Sequence, residues 1–221
     1  MDHADDDVLT LKEAAALLRV HPVSTLTRME AIRPLNRKGD EMGRPTQLRL
    51  KGIPLLLWPQ ARRYANAGDA EGFFGSTDSM LSMYLLSRNW AWFHQRSLAA
   101  KALLEAWSNQ KVAYQWESFM RQRLVECDRA ELLRWSDPFP EGDTYTLYRG
   151  VQGKSNPRGL SWTTSLSVAE HFANRVHGNG TVYMATVKRK NVYARIHESG
   201  REEHEMLVLS IDDVISRPQR G

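Results

Sequence analysis

The 221-residue sequence contains a single cysteine, Cys127. One thiol excludes an internal disulfide and a zinc site built from several cysteines, and no histidine spacing indicates a metal site. No apolar run approaches the roughly 20 residues that a membrane-spanning helix needs. The start of the chain, MDHADDD, lacks the basic and apolar segments of a secretory signal. These absences predict a soluble, cytoplasmic protein without a resident metal.

Nucleotide-binding signatures are also missing, because neither a GxGxxG fingerprint nor a phosphate-loop motif occurs. Basic charge, in contrast, is concentrated in one segment. Residues 8–65 hold 11 Lys and Arg against 4 Asp and Glu, a net charge of +7, whereas the whole chain has a net charge of +4. Such asymmetry favours contact with a polyanion such as DNA or RNA. A solvated basic surface is the alternative.

The basic segment combines short helices with a turn-rich stretch. LTLKEAAALLRV (9–20) joins a capping box to an apolar stripe, and STLTRMEAI (24–32) follows a proline break. Turn residues and candidate short strands occupy 33–50, and a third helix is expected within 51–68. This order is typical of a helix-turn-helix with a wing.

Residues 1–68 resemble the helix-turn-helix domains of excisionases and MerR-like regulators, chiefly through 9–20 and the helix that follows it. The resemblance implies that helix 24–32 enters a DNA major groove and that the wing meets phosphates. The implied groove residues are Ser24, Thr25, Thr27 and Arg28, and the implied phosphate-binding residues are Arg37, Lys38 and Arg44. A small helical domain that binds a protein or packs on the rest of the chain is the alternative.

The middle of the chain is predicted to be helical. Residues 69–77, DAEGFFGST, are interpreted as a linker, and the long segments of 78–135 contain no glycine or proline. Tryptophans at helical spacing in this region favour a packed core over a base-stacking surface. They are Trp90, Trp92, Trp107, Trp116 and Trp135.

From Thr144 the pattern changes to short segments rich in valine, tyrosine, threonine and isoleucine, which is typical of strands. The predicted strands lie in 144–151, 159–165, 180–187, 191–198 and 204–211, with one helix over 167–176. The sequence thus predicts an α+β protein. Its second domain, 78–221, has helices packed on a mostly antiparallel, β-rich part at 144–215.

Three polar motifs occur in order on these strands. TYTLYRG (144–150) ends in arginine and glycine, SWTTS (161–165) ends in hydroxyl side chains, and EEHE (202–205) precedes an apolar strand. Side chains two positions apart share a face of a strand, so Glu203 and Glu205 are expected to point into one space. Singly, the motifs have ordinary explanations: an exposed arginine, a helix N-cap and a charged strand edge.

This order over 144–210 resembles the arginine–serine–glutamate class of mono-ADP-ribosyltransferases, a group with many bacterial toxins and phage enzymes that use NAD as substrate. The resemblance implies that Glu205 stabilises positive charge on the ribose as nicotinamide leaves. Thr163, where the family usually has serine, is implied to orient Glu205. Glu203 is implied to position or deprotonate the acceptor, and a glutamate there favours arginine acceptors.

The resemblance also implies an NAD-binding set, namely Arg149, Gly150, Thr164, Ser165, Phe172 and Arg175. Arg149 is implied to pair with the NAD phosphates and the backbone of Gly150 to meet the nicotinamide amide. Phe172 would stack on nicotinamide and Arg175 would touch phosphate. Alternatively, Phe172 belongs to an apolar core stripe within 168–176.

Together the motifs predict an NAD-dependent mono-ADP-ribosyltransferase with a macromolecular acceptor, either a protein arginine or a nucleic acid. A DNA-binding regulator with an inactive or NAD-sensing transferase-like domain is the alternative. The sequence identifies neither the acceptor nor the oligomeric state.

Overall fold

The computed structural model describes residues 47–110, 114–152, 156–175, 180–196, 204–211 and 214–217. The expected helices 9–20 and 24–32, and most of the expected wing, lie outside these residues. The chain divides into two compact units, Met1–Met120 and Arg121–Gly221. Each unit is described by itself below.

The described part of the first unit is helical. A 3₁₀ turn, Leu55–Leu57, leads into the first α-helix, which has Pro59 in its first turn and lies within the range 51–68 predicted for the third helix. The helices are α1 (Trp58–Asn66), α2 (Ala70–Gly75), α3 (Ser82–His94) and α4 (Ala99–Asn109). Further 3₁₀ turns occur at Ser79–Leu81 and Tyr114–Trp116.

Residues 69–77 contain helix α2 instead of an extended linker. Asp69 caps this helix by accepting a hydrogen bond from the backbone nitrogen of Gly72 at 2.9 Å. Phe73 and Phe74 are both buried, and the Phe73 ring lies 5.0 Å from Phe74 and 5.5 Å from Phe93 of α3. Burial of these two rings stabilises a helix in this segment, although the glycines and the serine around them favour turns.

Two more helices complete the region predicted to be helical, α5 (Glu117–Glu126) and α6 (Arg129–Trp135). Asp128 caps α6 by accepting from the backbone nitrogens of Ala130 and Glu131. Four of the five tryptophans are buried as expected, whereas Trp135 is 41% exposed. The prediction of helices over 78–135 is confirmed for the described residues.

In the described part of the second unit, six strands form one antiparallel sheet in the order β4-β5-β2-β1-β3-β6. The strands are β1 (Thr144–Val151), β2 (Ser161–Thr163), β3 (Thr181–Lys188), β4 (Val192–Ile196), β5 (Glu205–Val208) and β6 (Ile215–Arg217). Helix α7 (Leu166–Asn174) connects β2 to β3. Each predicted segment contains a strand, so the α+β class and the antiparallel sheet are confirmed.

The two faces of the sheet differ in what covers them. One face carries a buried cluster that includes Leu147, Trp162 and Met206. The other face carries α7, whose buried residues Ala169 and Ala173 pack with Val182 of β3.

This packing corrects the core stripe expected for the helix. Val168 and Phe172 are half-buried, and the smaller alanines on a neighbouring stripe of α7 face the sheet. Gly150 explains why: a Cβ added there would lie 1.9 Å from the carbonyl oxygen of Ala169. The backbone of α7 lies so close to β1 that only small residues fit between them.

Candidate functional site

Described residues of the three sequence motifs lie on three adjacent strands, β1, β2 and β5, with Glu205 as the residue of the third motif on β5. Tyr148 of β1 pairs with Thr163 of β2, and Thr163 pairs with Glu205 of β5. Directly paired residues share one face of a sheet, so these three side chains form a row across its centre. We call Tyr148, Thr163 and Glu205 the central row. It lies on the face that α7 also covers, since Tyr148 packs against the α7 cluster.

Thr163 is the most enclosed polar member of this row, with 6% of its surface exposed. Its hydroxyl oxygen accepts a hydrogen bond from the backbone nitrogen of Ser165 at 3.1 Å. Directly opposed residues in an antiparallel pair have Cβ atoms about 4.5–5.5 Å apart, which puts the Glu205 side chain within reach of Thr163. The structure therefore brings together the hydroxyl and the carboxylate that the family resemblance links.

The rest of the hydroxyl cluster ends the strand and begins α7. Ser165 is the N-cap residue of α7, and its hydroxyl accepts from the backbone nitrogen of Val168 at 3.4 Å and lies 2.9 Å from the Ser167 hydroxyl. The N-cap explanation of the cluster thus applies to Ser165. Thr164 is half-buried between the strand and the helix.

His204 separates the two glutamates of the third motif and has a φ of 46°. This left-handed conformation is uncommon for a residue with a side chain, and strand alternation does not continue across it. Strand β5 starts only at Glu205, and Glu203 lies outside the described residues. The expected position of Glu203 on the same side as Glu205 therefore stays a prediction. The His204 Nδ1 atom instead lies 3.3 Å from Nη2 of Arg195 on β4.

Arg149 occupies the opening between β1 and β2. These strands share one registered pair, Tyr148 with Thr163, and beyond it the Arg149 guanidinium donates to the carbonyl oxygens of Ser161 at 2.6 Å and Asn156 at 3.2 Å. A Cβ added at Gly159 would lie 2.1 Å from its Nη2 atom.

The guanidinium therefore orders the connection from β1 to β2 and holds the second motif in place. Because successive side chains of a strand alternate, Arg149 leaves β1 on the face opposite to Tyr148. The structure places Arg149 beside the central row but does not add its side chain to that row.

The other residues of the implied NAD-binding set lie around α7. Gly150 is covered by the α7 backbone, as described above. Phe172 is half-buried, its ring lies 5.9 Å from the His171 ring, and its carbonyl oxygen accepts from Nε2 of Gln152 at 3.0 Å. Arg175 is exposed at the end of α7.

The sequence analysis did not identify Tyr148 as the strand partner of Thr163. It also did not identify Gly159 as the residue against which the Arg149 guanidinium packs. The signal for Tyr148 was its position directly before the arginine, two residues after Thr146 on an alternating strand. No neighbouring residue in the sequence indicates the role of Gly159, because its contact with the Arg149 guanidinium forms only in the tertiary structure.

The nucleic-acid residues predicted between Ser24 and Arg44 all lie outside the described residues. Four cations of the basic segment lie within them, and all four are exposed: Arg49, Lys51, Arg62 and Arg63. A search of the described ranges finds no group of three or more side chains arranged to hold a metal ion. Nor does any helix in those ranges have the length and hydropathy to cross a membrane.

Comparison with known proteins adds no relative. No protein-family model, no curated protein and no solved structure matches the chain. A functional proposal therefore depends on the sequence motifs and on the arrangement of the central row.

Proposed function

We propose that the protein is a mono-ADP-ribosyltransferase that transfers ADP-ribose from NAD to a macromolecular acceptor and releases nicotinamide. The observation that carries the proposal is the direct pairing of Thr163 on β2 with Glu205 on β5, with β2 also lying next to β1, the strand that holds Arg149. Three motifs far apart in the sequence become neighbours in the strand order β5-β2-β1. Their residue types are those of the arginine–serine–glutamate pattern, with Thr163 in the place of the serine.

Glu205 has the chemistry that this reaction requires. Nicotinamide leaves with the electron pair of the bond to the ribose, and positive charge develops on the sugar as in glycoside cleavage. A fixed carboxylate beside the ribose stabilises that charge. The acceptor then forms the new bond at the same ribose carbon and loses a proton, for which Glu203 is the proposed base.

Thr163 positions Glu205 in this proposal. A threonine hydroxyl has one hydrogen to donate as well as lone pairs to accept with. The backbone nitrogen of Ser165 already donates to the Thr163 oxygen. The hydroxyl hydrogen can then be directed at a Glu205 carboxylate oxygen, which fixes the rotamer of the carboxylate. The phosphate-binding role implied for Arg149 stays a prediction, because its guanidinium donates to the carbonyl oxygens of Ser161 and Asn156 on the face of β1 opposite to the central row.

The test incubates the purified protein with NAD labelled in the adenosine part and with cell lysate, and then treats the products with nuclease or protease. Glu205→Gln runs in parallel with Glu170→Gln, which changes an exposed carboxylate on α7. We expect Glu205→Gln to lower label transfer by about 10²–10³-fold and Glu170→Gln to leave it unchanged. Full activity of Glu205→Gln would overturn the proposal. Sensitivity of the label to protease or to nuclease identifies the class of acceptor.

The net charge of +7 in residues 8–65 favours a second candidate, a DNA-binding regulator whose transferase-like unit does not turn over NAD. Salt-sensitive DNA binding without any nicotinamide release would support it. In a combined version, the basic segment brings the enzyme to its acceptor. The triple variant Arg37→Ala, Lys38→Ala, Arg44→Ala should then lower acceptor modification while nicotinamide release in the absence of acceptor stays the same.

A further inference from the structure

A cavity of about 640 Å³ lies in the second unit, where β1 begins and β3 ends. Four cations contribute to its wall, together with one aromatic ring and one carboxylate: Arg129, Lys188, Arg189, Lys190, Phe139 and Asp143. Thr144 pairs with Lys188, whereas Tyr148 of the central row pairs with Met184. The cavity is therefore about 14 Å along the strands from the central row, at the strand rise of about 3.4 Å per residue. We call it the basic cavity.

The charge of the basic cavity is unbalanced. Four cations face one carboxylate, that of Asp143, and among the described residues none of these side chains forms an ion pair. Lys188, Arg189 and Lys190 are exposed and follow one another across the turn from β3 to β4, so their charges repel one another. An anion with several charges would relieve this repulsion at one place.

Two of the cations are held in position by other groups. Arg129 donates from Nη2 to the carbonyl oxygen of Val192 at 2.9 Å, and its guanidinium carbon lies 5.1 Å from the centre of the Tyr193 ring. Arg189 lies over Phe139, with 5.5 Å between the guanidinium carbon and the ring centre, and its backbone nitrogen donates to the Asp143 carbonyl oxygen at 2.8 Å. Guanidinium groups fixed in this way suit phosphate oxygens and offer planar stacking surfaces.

We infer that the basic cavity binds a nucleoside-phosphate unit of single-stranded nucleic acid. Its volume lies within the range of about 300–1,000 Å³ that holds small ligands of this size. Lys188 and Lys190 contact the phosphates, and the base stacks on the Phe139–Arg189 pair. A duplex keeps its bases inside the stack, whereas a single strand can place a base in a cavity beside its backbone. The inference does not depend on the proposed ADP-ribosyl transfer.

Photocrosslinking locates the binding site directly. The full-length protein is mixed with a thymidine strand of about eight nucleotides that carries one 4-thiothymidine, and the crosslinked peptides are identified by mass spectrometry. We expect crosslinks in the peptides that hold Phe139 or 188–193. Crosslinks confined to the basic segment 8–65 would overturn the inference.

Affinity measurements with the same strand, labelled with fluorescein, test the residues. Lys188→Ala/Lys190→Ala is expected to bind about tenfold more weakly and to reduce the slope of log affinity against log salt by about 1.4. The matched control, Arg134→Ala/Arg158→Ala, removes the same charge from exposed positions outside the cavity. Equal losses in both variants would overturn the inference, because only overall charge would then matter.

Phe139→Leu separates stacking from charge. Leucine keeps the apolar packing of Phe139 against the sheet core but removes the ring. We expect weaker binding of the strand with an unchanged salt slope. Competition at equal potency by poly-glutamate would contradict a nucleic-acid ligand, and competition at equal potency by a free mononucleotide would contradict a strand.

Discussion

Buried polar side chains have different kinds of partner in the two units. In the helical first unit, Asn89 is 1% exposed and exchanges two hydrogen bonds with the backbone of Arg49, at 2.7 Å and 2.8 Å. Gln110 likewise accepts from the backbone nitrogen of Met83 and donates to the carbonyl oxygen of Met80. In the second unit, Thr163 is also buried, but its neighbour in the sheet is the carboxylate residue Glu205.

We interpret the first arrangement as structural and the second as part of the proposed site. The amides of the first unit join distant backbone segments, so satisfied main-chain groups explain why polar residues are buried there. Sheet pairing needs no carboxylate at the centre, because an apolar residue would fit the same register at lower desolvation cost. A glutamate beside a buried hydroxyl in that position favours a role in chemistry, and each unit can be altered to test this contrast.

The largest effect on stability is expected for Asn89→Leu. The substitution keeps the branched shape of the side chain but removes the partners of the partly buried N–H and carbonyl groups of Arg49, at a cost of about 3 kcal/mol in the free energy of unfolding. Urea unfolding followed by circular dichroism measures the loss. Asn66→Leu, at an exposed position on α1, is the control, and its expected loss in the free energy of unfolding is less than about 0.5 kcal/mol. A loss as small as that of the control would show that Asn89 is not a structural cross-link.

Gly150→Ala tests whether a residue of the implied NAD set is needed for packing. Its Cβ would lie 1.9 Å from the Ala169 carbonyl oxygen and 2.6 Å from the Ala173 nitrogen, so α7 has to move away from β1. We expect unfolding to become easier by about 2 kcal/mol. Gly75→Ala, where the added Cβ meets nothing within 4 Å, serves as the reference. Unchanged stability together with lost NAD binding would instead show that Gly150 is needed for nicotinamide binding and not for packing.

Thr163→Val is expected to cost only about 1 kcal/mol of stability, because one hydrogen bond from Ser165 is lost. Its effect on nicotinamide release should be much greater than its effect on stability, since the carboxylate of Glu205 loses its orienting hydroxyl. Thr163→Ser keeps the hydroxyl and should keep most of the activity. Equal activity of the valine and serine variants would remove Thr163 from the mechanism.

The smallest effect concerns Cys127. Burial, and then the nearby carboxylates Glu126 and Glu131, raise the pKa of its thiol from 9.0 to about 12. At pH 8 fewer than about one thiol in a thousand is ionised, so iodoacetamide should label the native protein far more slowly than the urea-unfolded protein. The unfolded thiol ionises first, so any stability that depends on the neutral thiol is lost as the pH rises from about 9 to about 12. Rapid labelling of the native protein at pH 8 would contradict the burial.

Local pattern was sufficient to predict much of the fold. The alternation in TYTLYRGV predicts β1 with the observed bounds, because Tyr145 and Leu147 face a core and Thr146 between them does not. β2 is shorter than expected, since Gly159 packs against Arg149 and Ser165 already caps α7. Local pattern does not show such tertiary contacts, and the same limit explains why helix α2 was interpreted as a linker.

The sequence predicts less of the candidate site than of the fold. The pairing of Thr163 with Glu205 follows from strand order, which short motifs do not determine. The left-handed conformation of His204 is not signalled by a glycine, and β5 begins only after it. The basic cavity also depends on tertiary structure, because its lining residues Arg129, Phe139 and Lys188 are far apart in the sequence.

A double-mutant cycle tests the central claim most directly, namely that Thr163 and Glu205 act as one unit in NAD cleavage. The measurement is nicotinamide release by the wild type, Thr163→Val, Glu205→Gln and the double variant, each first checked for folding by circular dichroism. If the hydroxyl acts only through the carboxylate, the double variant loses no more activity than Glu205→Gln alone. Losses that multiply, or a double variant as active as the wild type, would contradict the account.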